Sequence, residues 1–380
     1  METQQEQLTD GNIHKAVKLW CSDQAQANNK YGNISHWNTS KVTDMDQLFR
    51  NMSDFNDDIS DWDVSNVTNM REMFAYASAF NQPMGEWNVS QVADMGRMFF
   101  DASAFNQPIG QWNVSQVTTM EGMFWNAVAF NQAIGQWNVS QVTNMGVMFE
   151  HARAFNQDIG QWNVSQVTDM GWMFDGAAAF NQAIGQWNVS QVTNMESMFQ
   201  NAAAFNQPIG EWNVGKVENM QSMFAYASAF NQDIGKWNVS QVADMRSMFQ
   251  DAAAFNQDIS DWIVIKNPDM KYMFDGSGYT YQEPNVENAR QRFNDKKQLM
   301  LLGHRAETED PDNKDSMPEA QRKVLYNRDL RRTTNAFLGG NRRRKSRKRK
   351  YKIINNKSKK KNISKKRKQS KKKGKKTKKN

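Results

Sequence analysis

The chain has 380 residues, 39% hydrophobic and 23% charged, with one cysteine and a formal net charge of +8. The charge is segregated: residues 1–283 carry 13 basic and 31 acidic side chains, 284–340 carry 11 and 9, and 341–380 carry 24 basic and no acidic ones. A lone Cys21 excludes an intrachain disulfide framework and a cysteine-based zinc site, and no stretch reaches the roughly 18–20 apolar residues that span a bilayer.

In chain order, the first segment, 1–31, reads as a helical cap. An amphipathic helix is expected over 9–28, with Thr9 or Asp10 as N-cap and Ile13, Ala16, Val17 and Trp20 on one face. The start, Met1-Glu2-Thr3-Gln4-Gln5-Glu6, is polar and acidic and lacks the basic and apolar regions of a secretory signal. The expected location is therefore intracellular, nuclear or virion-associated, with cell-surface display only by another export route.

Residues 32–282 are a tandem repeat. Tryptophan recurs at Trp37, Trp62, Trp87, Trp112, Trp137, Trp162, Trp187, Trp212, Trp237 and Trp262, always 25 residues apart. A fixed period of this length signals a solenoid. Within a unit, Trp112 and Val114 alternate with Asn113, as in a short strand buried on one face, and Met120, Met123, Phe124 and Ala127 have the spacing of a short helix. One such unit cannot bury its apolar residues alone, but stacked units can. The expected fold is an α/β repeat solenoid: ten leucine-rich-repeat-like coils of one short parallel strand plus one short helix, followed by a disordered basic tail.

The repeat decays through Ile263-Val264-Ile265-Lys266-Asn267-Pro268. Residues 283–340 have helical character around an acidic break, with Pro318 suited to a first helical turn. Residues 341–380 are too charged and too poor in apolar groups to fold alone.

The string Trp-Asn-Val-Ser-Gln-Val-Thr-Asn-Met-x-x-Met-Phe-x-x-Ala-x-x-Phe-Asn-Gln, carried by the repeat over roughly residues 32–280, resembles the repeat of the BspA-like leucine-rich-repeat surface proteins. That family is known from bacterial surface lipoproteins and also occurs in algae and large DNA viruses. The resemblance implies a repeat solenoid and a role in attachment or protein contact. Neither a signal peptide nor a lipid anchor is expected from the start at residues 1–6, a departure from the surface lipoproteins of the family. Its lysine-rich end is similar to tails on proteins of large DNA viruses.

The other motifs are absorbed by the repeat. Met-x-x-Met pairs such as Met95/Met98 have thioether ligands for copper, but their helical spacing fits core packing. Asn-x-Ser/Thr sequons at Asn66, Asn88, Asn113, Asn138, Asn163, Asn188 and Asn238, among others, come with the repeat and are expected to form a side-chain ladder rather than to carry glycans. His14, His36, His151 and His304 share no repeat position, and no carboxylate pair or phosphate loop stands out. No catalytic residue, metal or cofactor is expected.

Function is therefore expected at two places. The first is the variable part of the unit, where Tyr76, Phe100, Trp125, Trp172, Tyr226 and Tyr272 are candidates to bind an unidentified protein partner, or to tuck between coils. The second is the tail, where Arg342, Arg343, Arg344, Lys345, Arg347, Lys348, Arg349 and Lys350, with Lys365, Lys366, Arg367 and Lys368, suit non-specific nucleic-acid phosphates, a nuclear address or an anionic membrane surface. The reading is a non-catalytic interaction scaffold; the alternative is a surface attachment protein on a cell or virus particle.

Overall fold

The computed structural model describes residues 6–284, all within a unit that spans Met1–Asp295. Apart from 283 and 284, the helical extension expected over 283–340 and the tail over 341–380 lie outside the described residues.

The N-terminal segment forms two helices, α1 (Ile13–Ser22) and α2 (Gln24–Tyr31), not one continuous helix over 9–28. The break falls at Asp23, whose carboxylate accepts from the Gln26 amide at 3.0 Å and so starts α2. Neither Thr9 nor Asp10 is the N-cap of α1, a position held by Asn12. Asp10 instead accepts from the Thr43 amide and hydroxyl, both at 2.7 Å, and pins the segment to the first coil. Ile13, Ala16, Val17 and Trp20 are buried, and the Trp20 indole donates to Asp57 at 2.7 Å.

Each 25-residue unit then lies in register on the one before it. Among the described residues the register is marked by nine isolated parallel bridges, from Asp44 with Asn69 to Asp244 with Asp269. The short helix expected at 120–127 does not form. The amides of Met120, Gly122, Phe124 and Asn126 donate to the next coil, at Asn144, Gly146, Met148 and Glu150, over 2.8–3.1 Å. The intervening amides of Met123, Trp125 and Ala127 close turns onto Met120, Gly122 and Phe124, each at 3.1 Å. This alternation needs left-handed backbone at Gly122 (φ 59°) and Asn126 (φ 51°), which no α-helix contains. These overlapping turns place Met120, Met123, Phe124 and Ala127 inward just as a helix would, which is why the spacing misleads. Nor is there a regular strand at 112–114: the Trp112 amide closes a turn onto Ile109 at 3.2 Å.

The core is a set of ladders running from coil to coil. Phe124 stacks on Phe130 in its own unit at 3.9 Å and on Phe149 of the next at 5.6 Å. Trp112, Trp137 and Trp162 stack 6.5 Å apart and nearly parallel, and the Trp137 indole donates to the Ile109 carbonyl at 3.1 Å. The paired methionines are fully enclosed, as Met95, Met98, Met145 and Met148 illustrate. At roughly 1.5–3 kcal/mol for each large side chain removed from water, burial of this kind adds to the cohesion that the backbone bonds between coils supply.

A polar ladder runs beside the apolar ones, and among the sequon asparagines of the described residues only the Asn66 side chain, which donates to the Ser40 carbonyl at 2.9 Å, bridges coils. Asn113 and its copies accept from the serine two residues on, as with Ser115 at 3.2 Å, and stay within their own turn. The asparagine of Phe-Asn-Gln bridges the coils instead. Asn106 Oδ1 accepts from the Asn131 amide and from Gln132 Nε2, both at 2.9 Å. The same arrangement recurs up to Asn231 with Asn256 and Gln257.

Candidate interaction face

Differences between units concentrate on the turn that carries the left-handed residues. Two positions per coil have positive φ throughout. One holds Glu72, Arg97, Gly122, Val147, Trp172 and Tyr272; the other holds Tyr76, Asp101, Asn126, His151, Gly176 and Tyr226. The left-handed geometry is imposed by the bond to the next coil, as in the Tyr76 amide to Phe100 and the Trp172 amide to Glu196, both at 2.7 Å. Left-handed backbone costs a non-glycine residue roughly 1–2 kcal/mol, and glycine or asparagine occupies the same positions in other coils.

Three of the six expected aromatics come together. Tyr76 meets Phe100 at 5.3 Å, Phe100 stacks on Trp125 at 4.1 Å, and Trp125 meets His151 edge-on at 6.1 Å. The row crosses four coils. Phe100 and Trp125 are half-buried by this contact, whereas Tyr76 is 38% exposed. The other three stand on their own coils. Trp172 is half-buried; Tyr226 is exposed and accepts from Gln250 at 3.3 Å; Tyr272, also exposed, lies under the Lys271 ammonium at 4.5 Å.

The aromatic row is flanked by charges that a search for aromatics misses. Glu72, only 8% exposed, pairs with Arg50 and lies 3.7 Å from Arg71 and 3.8 Å from Arg97. Arg97 also binds Glu121 at 2.6 Å and covers the Phe100 ring. Reading the repeat in columns gives the signal: Glu72 and Arg97 occupy one position in adjacent coils, which brings opposite charges side by side. Beyond Trp125 the face turns acidic. Burial raises the Glu150 carboxyl above the ordinary carboxylate range, offset in part by a hydrogen bond with the Trp125 side chain. Burial raises Asp175 in the same way, against a hydrogen bond from Asn201 at 3.0 Å. His151 lies 3.7 Å from Glu150 and fits because residue 176 is glycine, where a Cβ would strike the imidazole.

Among the described residues no group of three His, Cys, Asp or Glu is placed to hold a metal ion, and no helix is long and apolar enough to cross a membrane. The tail residues Arg342–Lys350 and Lys365–Lys368 lie outside the described residues.

In-register units joined by coil-to-coil ladders are the construction of a tandem-repeat protein. The chain belongs to the family described as Mycoplasma protein of unknown function, DUF285, whose model matches residues 20–132, 107–202 and 181–286. No curated protein and no solved structure matches the chain.

Proposed function

We propose that the chain is a non-catalytic interaction scaffold, a repeat solenoid of the BspA-like kind, that docks a protein partner on its variable turn face. The observation that carries this reading is the placing of bulky residues at left-handed positions. Tyr76, Trp172, Tyr226 and Tyr272 occupy backbone that glycine or asparagine fills at lower cost in other coils, and three of them remain exposed. The exposed Tyr76 and the half-buried Phe100 and Trp125, with Arg50 over the Tyr76 ring and Arg97 over the Phe100 ring, have the composition that concentrates binding energy at protein interfaces. The segment 341–380 supplies a second, sequence-independent function on nucleic-acid phosphates or in nuclear targeting, supported by its 24 basic residues.

The test is quantitative affinity capture with the full chain, the double variant Tyr76→Ser/Trp125→Ser, and the control Ala133→Ser, an exposed residue outside that face. A partner of this face is retained by the control and lost about tenfold or more from the double variant, the effect of about 1.4 kcal/mol. Equal recovery on all three chains rejects the face. For the tail, a salt titration of nucleic-acid binding compares the full chain with residues 1–340; a steep salt dependence confined to the full chain is expected.

The BspA-like resemblance supports a second reading, attachment at the surface of a cell or particle. Protease shaving of intact cells or particles tests it: release of repeat-derived peptides is the expected result.

A further inference from the structure

A second strip of the repeat follows the opposite rule. The string Gln-Trp-Asn-Val-Ser-Gln-Val-Thr stands unchanged at 111–118, 136–143, 161–168 and 186–193. Its Trp and Val residues are buried, and its five polar side chains point outward, the serines half-buried and the rest exposed. Four consecutive coils thus present 20 Gln, Asn, Ser and Thr side chains without one charge, on a segment (1–283) that carries 31 acidic and 13 basic residues.

The fold accounts for only part of this uniformity. Asn113 caps its turn through Ser115, and the Thr143 hydroxyl donates to the Thr118 carbonyl at 3.3 Å. Gln116, Gln141 and Gln166 make no hydrogen bond among the described residues, Gln191 accepts from the Lys216 ammonium at the end of the strip, and the same position holds Lys41 and Lys216 elsewhere. The position of Gln111 accepts Glu86 and Lys236. The glutamines are therefore free to vary, yet across these coils they do not, while the turn face of the same coils differs at nearly every exposed position.

We infer that this neutral strip is a self-association surface that pairs with the same strip of a second copy. A surface that meets a different partner carries coil-specific residues, but one that meets itself across a two-fold axis must complement itself. Side-chain amides do so, since each carries a donor and an acceptor. The repeat distance, about 4.8 Å per coil, matches in the two copies by construction. Twenty side chains per copy reach the lower end of the roughly 20–30 residues a side of standard interfaces. The strip has no cations for nucleic acid and no exposed apolar groups for a membrane.

Charge at the two ends sets direction and register. Asp61, Asp63 and Glu86 precede the strip, and Glu211, Lys216, Glu218 and Lys236 follow it. Parallel pairing sets the purely acidic end against itself. Antiparallel pairing sets it against the mixed end, where Asp61 opposite Lys236 offsets Glu86 opposite Glu211, and places Gln141 opposite Gln166 of the second copy. A slip of one coil buries a charged coil against a neutral one, which is disfavoured.

Sedimentation velocity of the full chain over a wide concentration range, at low and high salt, tests this without reference to the turn face. The sedimentation coefficient is expected to rise with concentration toward the dimer value and to keep that rise at high salt, since the pairing groups are uncharged. The double variants Q141E/Q166E and Q141K/Q166K, checked for folding by circular dichroism, are each expected to stay monomeric, and their equimolar mixture to dimerise. Mixing the single variants Q141K and Q166E reports direction, because only antiparallel pairing sets the introduced charges against each other. A wild-type chain that remains monomeric, one whose association vanishes with salt, or a Q141E/Q166E chain that dimerises like the wild type overturns the proposal.

Discussion

At Val147, Trp172 and Tyr226 the backbone is held at φ of 52°, 54° and 60°, a conformation whose cost recurs at the same two positions of every coil. Asn51, Asn126 and Asn201 occupy the position of Tyr226 in other coils, and asparagine tolerates this region better than tyrosine. Tyr226→Asn is therefore expected to raise stability by about 0.5–1 kcal/mol in urea denaturation, because the lost contact, one hydrogen bond at 3.3 Å to an exposed ring, is small. The polar ladder predicts the opposite sign. Asn156→Ala removes the acceptor of the Asn181 amide and one of the two acceptors of Gln182 Nε2, and leaving a part-buried amide unmet costs about 1–3 kcal/mol by the same measurement. Glu150 and Asp175 titrate above their unfolded values, so the stability each contributes is complete below the unfolded carboxylate range and is lost as pH rises through the raised folded value. The thermal midpoint should accordingly fall as pH is raised through the weakly acidic region, and Glu150→Gln/Asp175→Asn should flatten that fall. Asp58 and Asp63, held low by hydrogen bonds from Ser60 and Ser65, act in the opposite sense and at lower pH.

A coil is a sequence of turns sealed by its neighbours, and its parts were unequally legible from sequence. The tryptophan spacing gave the unit length, and the apolar positions of Phe105–Phe130 point inward as their pattern implies. The conformation of 120–127 was hidden because left-handed positions occupied by Arg97, Val147 or Trp172 carry none of the glycine or asparagine signature of such backbone. The polar ladder was hidden for a related reason: sequon and Phe-Asn-Gln asparagines recur with one period, and only geometry separates the one that bonds its own turn from the one that bonds the next coil. Of the six aromatic candidates, the row through Tyr76, Phe100 and Trp125 follows from adjacency of coils, but its ion-pair flank does not emerge until columns are compared. Phe174 stacks on Phe149, Phe180 and Phe199, so Phe174→Ala should cost about 3–5 kcal/mol in chemical denaturation. The α1–α2 pair is tied to the coils through Asp10 and Trp20, and Asp10→Ala is expected to speed amide exchange in Ile13–Ser22 while leaving coils near Phe174 protected.

At the scale of the described molecule, cohesion is a sum of nearest-neighbour terms. The recurrent hydrogen bonds that join coils reach 24, 25, 26 or 28 residues along the chain, as in Phe124 to Met148, Thr143 to Thr118, Gln132 to Asn106 and Trp137 to Ile109. Deleting residues 145–169, one full period, should therefore leave a chain with a cooperative melt and an unchanged circular dichroism signature per residue, whereas deleting half that length should abolish both. The constant reach has a consequence for heredity. A gene built of such units can lose or gain one by unequal crossing-over and still encode a chain in which the coil-to-coil hydrogen bonds keep their partners. Coil number is then free to drift in steps of 25 residues, while the N-terminal helices and the charged coils bounding the neutral strip are inherited as fixed bookends. Length variants of this protein in nature should differ by whole periods.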